Sequence, residues 1–129
     1  MKRFNQDARQ TELFNEAGAF FAFSNRQLDE QKKEGITYIN LGSGLICNEL
    51  TAAKLMQDLE NVFNDKIAWE LANNTKKEII WYELSNHECQ ITGDYSYVVD
   101  LLKPYGITKE EIKAEWSYYF DYCIEHDYF

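Results

Sequence analysis

Residues 18–48, "GAFFAFSNRQLDEQKKEGITYINLGSGLICN", decide the fold class because all the predicted strands lie within them. The continuous apolar run "GAFFAFS" predicts a buried strand. The segment "GITYINLGSGLICN" predicts two short strands, joined at the Gly-Ser-Gly turn of residues 42–44. The sequence therefore predicts a small sheet of about three strands, formed early in the chain.

A helix is predicted between the first strand and this hairpin. Ser24 and Gln27 have the spacing of a capping box, in which two side chains satisfy free backbone N–H groups at a helix start. The helix is expected to cover residues 25–34 and to end at Gly35. Leu28 is its only large apolar residue, so we expect the helix to lie on the surface.

The rest of the chain favours helices. Apolar residues recur at helical spacing over residues 49–64, which predicts an amphipathic helix, and residues 67–72 fit a further turn or two. Thr75 and Glu78 form a second capping box, so a helix from Lys76 is expected to continue through "EIIWYELSNHE". A short helix, "YSYVVDLL", follows it.

The strongest helix start lies at Thr108. Thr108 and Glu111 form a third capping box, and Ile107 and Ile112 stand at the two positions of a hydrophobic staple. No internal repeat and no linker interrupts the pattern. We therefore predict a helix-rich α+β fold with a small early sheet, organised as a single domain over residues 1–129.

Composition narrows the class of protein. No apolar stretch approaches the roughly 20 residues that a membrane span needs, and the polar N-terminal segment has no apolar signal core. The three cysteines, Cys47, Cys89 and Cys123, have no CxxC spacing, which is typical of reduced thiols in a cytoplasm. Cys47 and Cys123 have apolar neighbours and are expected in the core.

The charge distribution disfavours direct binding to nucleic acid. The chain has 13 basic and 22 acidic residues, a net charge of −9, and no Lys or Arg after Lys113. Neutralising phosphates requires clustered Lys and Arg, which the C-terminal part lacks. A basic protein partner fits this charge better, although acidity also serves solubility alone.

The segment "NHECQITGD", residues 86–94, concentrates polar and metal-ligating side chains. Its structural interpretation places His87 in the last turn of a helix, where an imidazole can bond free carbonyl groups. Asp94 would then be the N-cap of the "YSYVVDLL" helix, with Gly93 supplying the turn.

The alternative interpretation is a metal or acid–base site. His87, Glu88 and Asp94 would be its centre in a small metal-dependent or acid–base enzyme. Adjacent helical residues point about 100° apart, and the residue four positions after His87 is Ile91, so the HExxH arrangement is absent. We therefore predict no metal, no cofactor and no catalytic residue, and the enzyme stays as the alternative.

The C-terminal segment "AEWSYYFDYCIEHDYF", residues 114–129, holds seven aromatic and four acidic residues. In a helix, one broad face is the natural core face. That face contains Ile112, Trp116, Tyr119, Phe120 and Cys123. The candidate partner-binding residues lie on the outer side: Tyr118, Tyr122, Asp121, Glu125 and Glu115. Tyrosine is frequent at protein interfaces, but these rings could also cover a small core.

Four segments carry a resemblance to known sequences. These are "GAFFAFSNRQLDEQKKEG", "INLGSGLIC", "YELSNHECQITGD" and "YGITKEEIKAEW". They resemble small uncharacterised proteins of bacteriophages and of mobile elements in gut Bacteroides-type bacteria, from Gly18 to about Trp116. The resemblance implies a cytoplasmic protein of phage or mobile-element origin, and it transfers no catalytic residue.

These observations favour a non-enzymatic accessory protein that acts by protein–protein interaction. Its partner would be a host factor or a defence system, for example a basic or nucleic-acid-binding host protein. A DNA mimic, whose carboxylates imitate phosphates, is one version of this role. A second copy of the same chain is the other partner that the sequence leaves open. Neither a membrane nor nucleic acid is expected as a direct partner.

Overall fold

The computed structural model describes all residues, 1–129, and confirms a helix-rich α+β fold. Seven α-helices accompany one three-stranded antiparallel sheet. In chain order the elements are α1 (Gln6–Ala17), β1 (Phe20–Phe21), α2 (Asn25–Gln31), β2 (Tyr38–Asn40), β3 (Leu45–Asn48), α3 (Ala52–Asn73), α4 (Lys76–Asn86), α5 (Cys89–Thr92), α6 (Ser96–Leu102), a 3₁₀ turn (Lys103–Tyr105) and α7 (Lys109–Glu125). No helix combines the length and the hydropathy that a membrane span requires.

The sheet has the order β1-β3-β2, so β3 is its central strand. Phe20 pairs with Ile46 on one side of β3, and Ile39 pairs with Cys47 on the other. The predicted turn between β2 and β3 is confirmed, and all three of its residues, 42–44, have positive φ. Two glycines adopt such angles at little steric cost, which explains the Gly-Ser-Gly sequence.

The prediction of a buried strand in "GAFFAFS" is wrong in length and in burial. β1 has only two residues, and Phe23 beyond it is 73% exposed. The reason is topological: β1 is an edge strand, so it has a neighbouring strand on one side only. Phe21 stacks on Phe23 at 6.1 Å and meets the Phe14 ring of α1 edge-on at 5.6 Å.

Helix α2 begins where it was predicted but ends three residues early. The Ser24 hydroxyl accepts a hydrogen bond from the Gln27 N–H at 3.2 Å. The helix stops at Gln31 rather than at residue 34, because Lys32 is already extended. The next N–H, that of Lys33, donates to the Tyr38 hydroxyl at 3.0 Å instead of to a helix carbonyl.

The two helical groups predicted at residues 49–64 and 67–72 form one helix, except that residues 49–51 precede it. α3 runs unbroken for 22 residues from Ala52 to Asn73. The two polar residues between the groups, Asp65 and Lys66, are neither Gly nor Pro, so nothing in the backbone chemistry stops the helix there.

The chain forms two compact units, and the boundary between them falls within the residues of α3. We call residues 5–66 the N-terminal unit, and residues 1–4 together with 67–129 the C-terminal unit. The core of the N-terminal unit contains Cys47, Ala52 and Leu55. The core of the C-terminal unit draws mainly on α4, α6 and α7, through Ile79, Ile80, Leu84, Val98, Leu102, Ile107, Ile112, Tyr119 and Cys123. The single domain over residues 1–129 stays a prediction.

Both later capping boxes are confirmed. At each, the N-cap threonine accepts from the N–H three residues on, and the glutamate accepts from the threonine N–H. Ile107 and Ile112 are buried, as the hydrophobic staple requires. All three cysteines are free and buried, so the expected core positions of Cys47 and Cys123 are confirmed.

Replacing Thr108 tests the contribution of its capping box. The Thr108 Oγ1 accepts the Glu111 N–H at 3.2 Å, and Thr108→Ala removes that acceptor. We expect a loss of about 1 kcal/mol in the free energy of unfolding, measured by urea titration. Ser117→Ala, at an exposed position inside α7, is the control and should not destabilise. Equal stability of Thr108→Ala and wild type would contradict the assigned helix start.

The same boxes predict an acid-sensitive stability. The backbone N–H groups of Thr75 and Thr108 lower the pKa values of Glu78 and Glu111 below the ordinary 4.5. A lowered folded pKa means that stability is fully present above 4.5 and is lost as the pH falls through the folded values. The double change Glu78→Gln and Glu111→Gln should therefore flatten this loss in denaturant titrations at several pH values.

The matched control changes two exposed acids that form no ion pair, Glu12→Gln and Glu34→Gln. This control should keep the slope of stability against pH below 4.5 that the wild type shows. The same slope in the capping-box variant would show that these carboxylates do not govern acid unfolding.

Candidate functional site

Helix α7 has a buried face and an exposed face. Ile112, Tyr119 and Cys123 are buried, while Trp116 and Phe120 are half-buried. The core face that the sequence predicts is therefore confirmed. The opposite side of the helix faces solvent, and it is there that the predicted partner-binding residues must be sought.

The five predicted partner-binding residues lie in two different surroundings. Tyr118 is 67% exposed, and Asp121 and Glu125 are exposed beside it. Glu115 is half-buried, because its Oε2 accepts a hydrogen bond from the indole Nε1 of Trp81 on α4 at 2.9 Å. Tyr122 is 38% exposed and also contacts that indole. The exposed face of α7 is therefore continuous with a groove beside Trp81.

This groove has a volume of about 490 Å³, and we call it the Trp81 groove. Its aromatic lining consists of Trp81, Tyr82, Tyr119, Tyr122 and Tyr128. The centroid of the Trp81 ring system lies 5.5 Å from that of Tyr119 and 5.3 Å from that of Tyr122, at interplanar angles of 78° and 60°. Tilted and edge-on contacts at this distance are favourable for aromatic rings, so the wall is well packed.

The residues after α7 continue the aromatic wall. His126 stacks on Tyr122 at 4.0 Å, and Tyr128 lies 5.6 Å from His126. A hydrogen bond with Tyr128 raises the pKa of the Tyr122 hydroxyl above its ordinary 10, so that hydroxyl is neutral at physiological pH.

Gln90 of α5 anchors this wall through two hydrogen bonds. Its Oε1 accepts from the Tyr119 hydroxyl at 2.7 Å, and its Nε2 donates to the Tyr128 carbonyl at 3.0 Å. Burial raises the pKa of Tyr119, so this hydroxyl remains a donor over the physiological range. The amide thus holds the chain after α7 against the groove.

Two cations of the chain already lie on aromatic rings that line the groove. The Lys77 ammonium is 5.0 Å from the centroid of Trp81. The Arg3 guanidinium is 4.6 Å from the centroid of Tyr82 and also hydrogen-bonds to its hydroxyl. These are cation–π distances, so the electron-rich faces of both rings accept positive charge.

His87, Glu88 and Asp94 have separate structural tasks. His87 caps the C-terminal end of α4, and its Nε2 lies 3.4 Å from the Glu83 carboxylate. Glu88 has a φ of +50° in the turn before α5. The Asp94 carboxylate accepts from the N–H and the hydroxyl of Ser96, and these bonds lower its pKa.

The predicted helix end at His87 is therefore confirmed, and the predicted N-cap is displaced by one residue. Tyr95 is the N-cap of α6, and Asp94 satisfies the Ser96 N–H from the position before it. No group of three or more His, Cys, Asp or Glu side chains is arranged to hold a metal ion.

Sequence reasoning missed a buried carboxylate, Glu70 of α3, which is 1% exposed. Its Oε2 accepts from the Tyr105 hydroxyl at 2.7 Å. Its Oε1 has no hydrogen-bond partner, and the nearest cation is the Arg3 Nε at 3.9 Å. The available signal was its position three residues after Ile67, on the apolar side of the helix.

A family model described as a family of unknown function, DUF7659, matches residues 4–119. The chain belongs to this family. No curated protein and no solved structure matches the chain. The resemblance to an uncharacterised family is thereby confirmed, while phage origin stays a prediction.

The DUF7659 match divides the Trp81 groove. Trp81, Glu115 and Tyr119 lie inside the matched residues, whereas Tyr122 and Tyr128 follow them. The α4 side of the groove thus lies within the residues that match DUF7659, and the aromatic residues after Tyr119 lie beyond the match.

Single changes distinguish the two tyrosines of α7. Tyr122→Ala removes ring contacts with Trp81, His126 and Tyr128, and we expect it to lower the free energy of unfolding by about 1 kcal/mol or more. Tyr118→Ala removes a mostly solvated ring and should change stability by less than about 0.5 kcal/mol. Denaturant titration of both variants measures the difference. A larger loss for Tyr118→Ala than for Tyr122→Ala would contradict this packing.

Proposed function

We propose that this chain is a non-enzymatic accessory protein that binds a basic protein partner through the exposed face of α7. One observation carries the proposal: the exposed Tyr118 lies beside Asp121 and Glu125 on a segment with no Lys or Arg after Lys113. Tyrosine offers a large contact area at a low cost in side-chain entropy. The carboxylates beside it attract and orient a basic partner.

A second copy of the chain is a less suitable partner for this face. A symmetric dimer brings the same patch of both copies together. Asp121 and Glu125 would then face their own counterparts, and like charges in an interface cost several kcal/mol. The charge of the face therefore favours a different, basic protein over self-association.

The cellular setting that we propose follows from the resemblance to phage and mobile-element proteins. In that setting the chain acts in the cytoplasm on a host factor or a defence system. Host proteins that bind nucleic acid present clustered Lys and Arg, which suit an acidic face. The DNA-mimic version is less well supported, because 13 basic residues are interspersed with the 22 acidic ones.

The alternative of a small metal-dependent or acid–base enzyme stays a prediction. The geometry adds no argument in its favour, since His87 pairs with Glu83 and Asp94 pairs with Ser96. Elemental analysis of purified protein tests the metal version. Stoichiometric zinc or manganese, with loss of the fold in EDTA, would favour the enzyme.

A triple variant of the exposed α7 face tests the interaction. Tyr118→Ala, Asp121→Asn and Glu125→Gln remove its ring and both charges while leaving the core face unchanged. We expect quantitative mass spectrometry of proteins captured from bacterial host lysate to show a basic protein that the wild type retains. The triple variant should capture at least about tenfold less of this basic protein, because central interface residues carry much of the binding energy.

The matched control carries Tyr97→Ala, Glu12→Gln and Glu34→Gln, which remove an exposed ring and two charges elsewhere. This control should retain the partner, and rising salt should weaken capture by the wild type. Capture that is equal for wild type and triple variant would show that the exposed face of α7 is not the interface. Self-association of the wild type in sedimentation velocity, lost in the triple variant, would indicate a second copy instead.

A further inference from the structure

Resting on this proposed function, we propose that the Trp81 groove receives an arginine side chain of the basic partner. The exposed face of α7 would contact the surrounding surface, and the groove would hold the guanidinium against Trp81. Tyr122 connects the two regions, because it lies one helical turn from Tyr118 and also lines the groove.

The aromatic wall has the chemistry that a guanidinium needs. A planar cation gains energy over the face of an aromatic ring, and Trp is the strongest such ring among the side chains. Tyr119 and Tyr122 both stand at steep angles to Trp81, so the groove presents both faces and edges of rings. Arginine stacks on such rings better than lysine, because its guanidinium is flat and less strongly hydrated.

The chain supplies an internal demonstration of this chemistry. Lys77 places its ammonium 5.0 Å from the Trp81 centroid, and Arg3 stacks on Tyr82. Both side chains are cations, and both lie on rings that line the groove. We interpret Lys77 as a resident cation that an arginine of the partner displaces from Trp81.

Two carboxylates at the groove favour a positively charged ligand. Glu78 lines the groove, and hydrogen bonds from Thr75 lower its pKa, so it is ionised at neutral pH. Glu115 accepts from the Trp81 indole and adds a second negative group next to that ring. Arg3 and Met1 also bring positive charge to the groove, so Glu115, whose Oε2 lies 2.9 Å from the indole Nε1, is the carboxylate that favours a cation at Trp81 itself.

A titration with a minimal probe tests the inference directly. Acetyl-arginine-N-methylamide is added to ¹⁵N-labelled full-length protein, and the indole N–H signals of Trp69, Trp81 and Trp116 are followed by NMR. The Trp81 signal is assigned from its absence in Trp81→Phe. We expect only this signal to shift toward saturation, with a dissociation constant on the order of millimolar, as a single stacked cation implies.

A neutral isostere of the arginine probe serves as the matched ligand control. Acetyl-citrulline-N-methylamide has nearly the same shape and no charge, and we expect it to bind at least about fivefold more weakly. Equal shifts with citrulline and arginine would overturn the proposal, as would shifts confined to Trp69 or Trp116.

Lys77→Met gives a second test that leaves the aromatic wall intact. It removes the resident cation but keeps an unbranched side chain at an exposed position, so the fold should persist. We expect arginine to bind about two- to fivefold more tightly to this variant, because the ring face is vacated and a positive charge is lost. Lys113→Met makes the same charge change on α7 and should alter the affinity much less. Weaker binding to Lys77→Met would overturn the proposal.

The arginine titration and the partner-capture experiment can fail independently of each other. Loss of partner capture in the α7 triple variant, without any shift of Trp81 by arginine, would leave the interaction standing and remove only the arginine receptor. A saturable Trp81 shift together with unchanged capture by the triple variant would remove the exposed α7 face as the interface and keep the receptor.

Discussion

Helices α4 and α7 pack against each other through fully buried side chains, and the candidate site depends on that packing. Ile79, Ile80 and Leu84 of α4 share one core with Ile112 and Cys123 of α7. Because this core fixes the two helices, Trp81 on the flank of α4 meets the flank of α7. A large-to-small change in such a core costs about 2–5 kcal/mol, so the geometry of the groove is tied to the stability of the unit.

Several carboxylates of the C-terminal unit have partners inside the unit. Glu78 and Glu111 satisfy backbone N–H groups at helix starts, and Glu115 accepts from an indole. Glu70 is buried, where an ionised group is costly unless it is paired and hydrogen-bonded. Asp121, like its neighbours on the exposed face of α7, takes no such internal role, which leaves it available for the basic partner that we propose.

The N-terminal residues contribute to the C-terminal unit. Lys2 exchanges two hydrogen bonds with the Asn74 side chain, through its N–H and its carbonyl. Arg3 approaches Glu70 and bonds to Tyr82, which places a cation beside the buried carboxylate and beside the groove. These contacts join parts of the chain about 70–80 residues apart, so they form only when the unit folds.

Local chemistry made the helix starts at the N-cap residues Ser24, Thr75 and Thr108, the hairpin turn and the acidic C-terminal segment predictable from the sequence. A capping box such as Thr108 with Glu111 spans three residues, so its spacing is visible in the sequence itself. Tertiary structure decided the features that depend on distant partners. These are the exposure of β1 as an edge strand, the early end of α2 and the Trp81 groove. At the end of α2, the Tyr38 hydroxyl accepts the Lys33 N–H that a longer helix would have used. Trp81 and Glu115 are 34 residues apart, and no local rule pairs an indole with a carboxylate at that separation. Side-chain pairs of this kind are fixed by the packing of whole helices, because the burial of their apolar faces sets which polar groups come within hydrogen-bond distance.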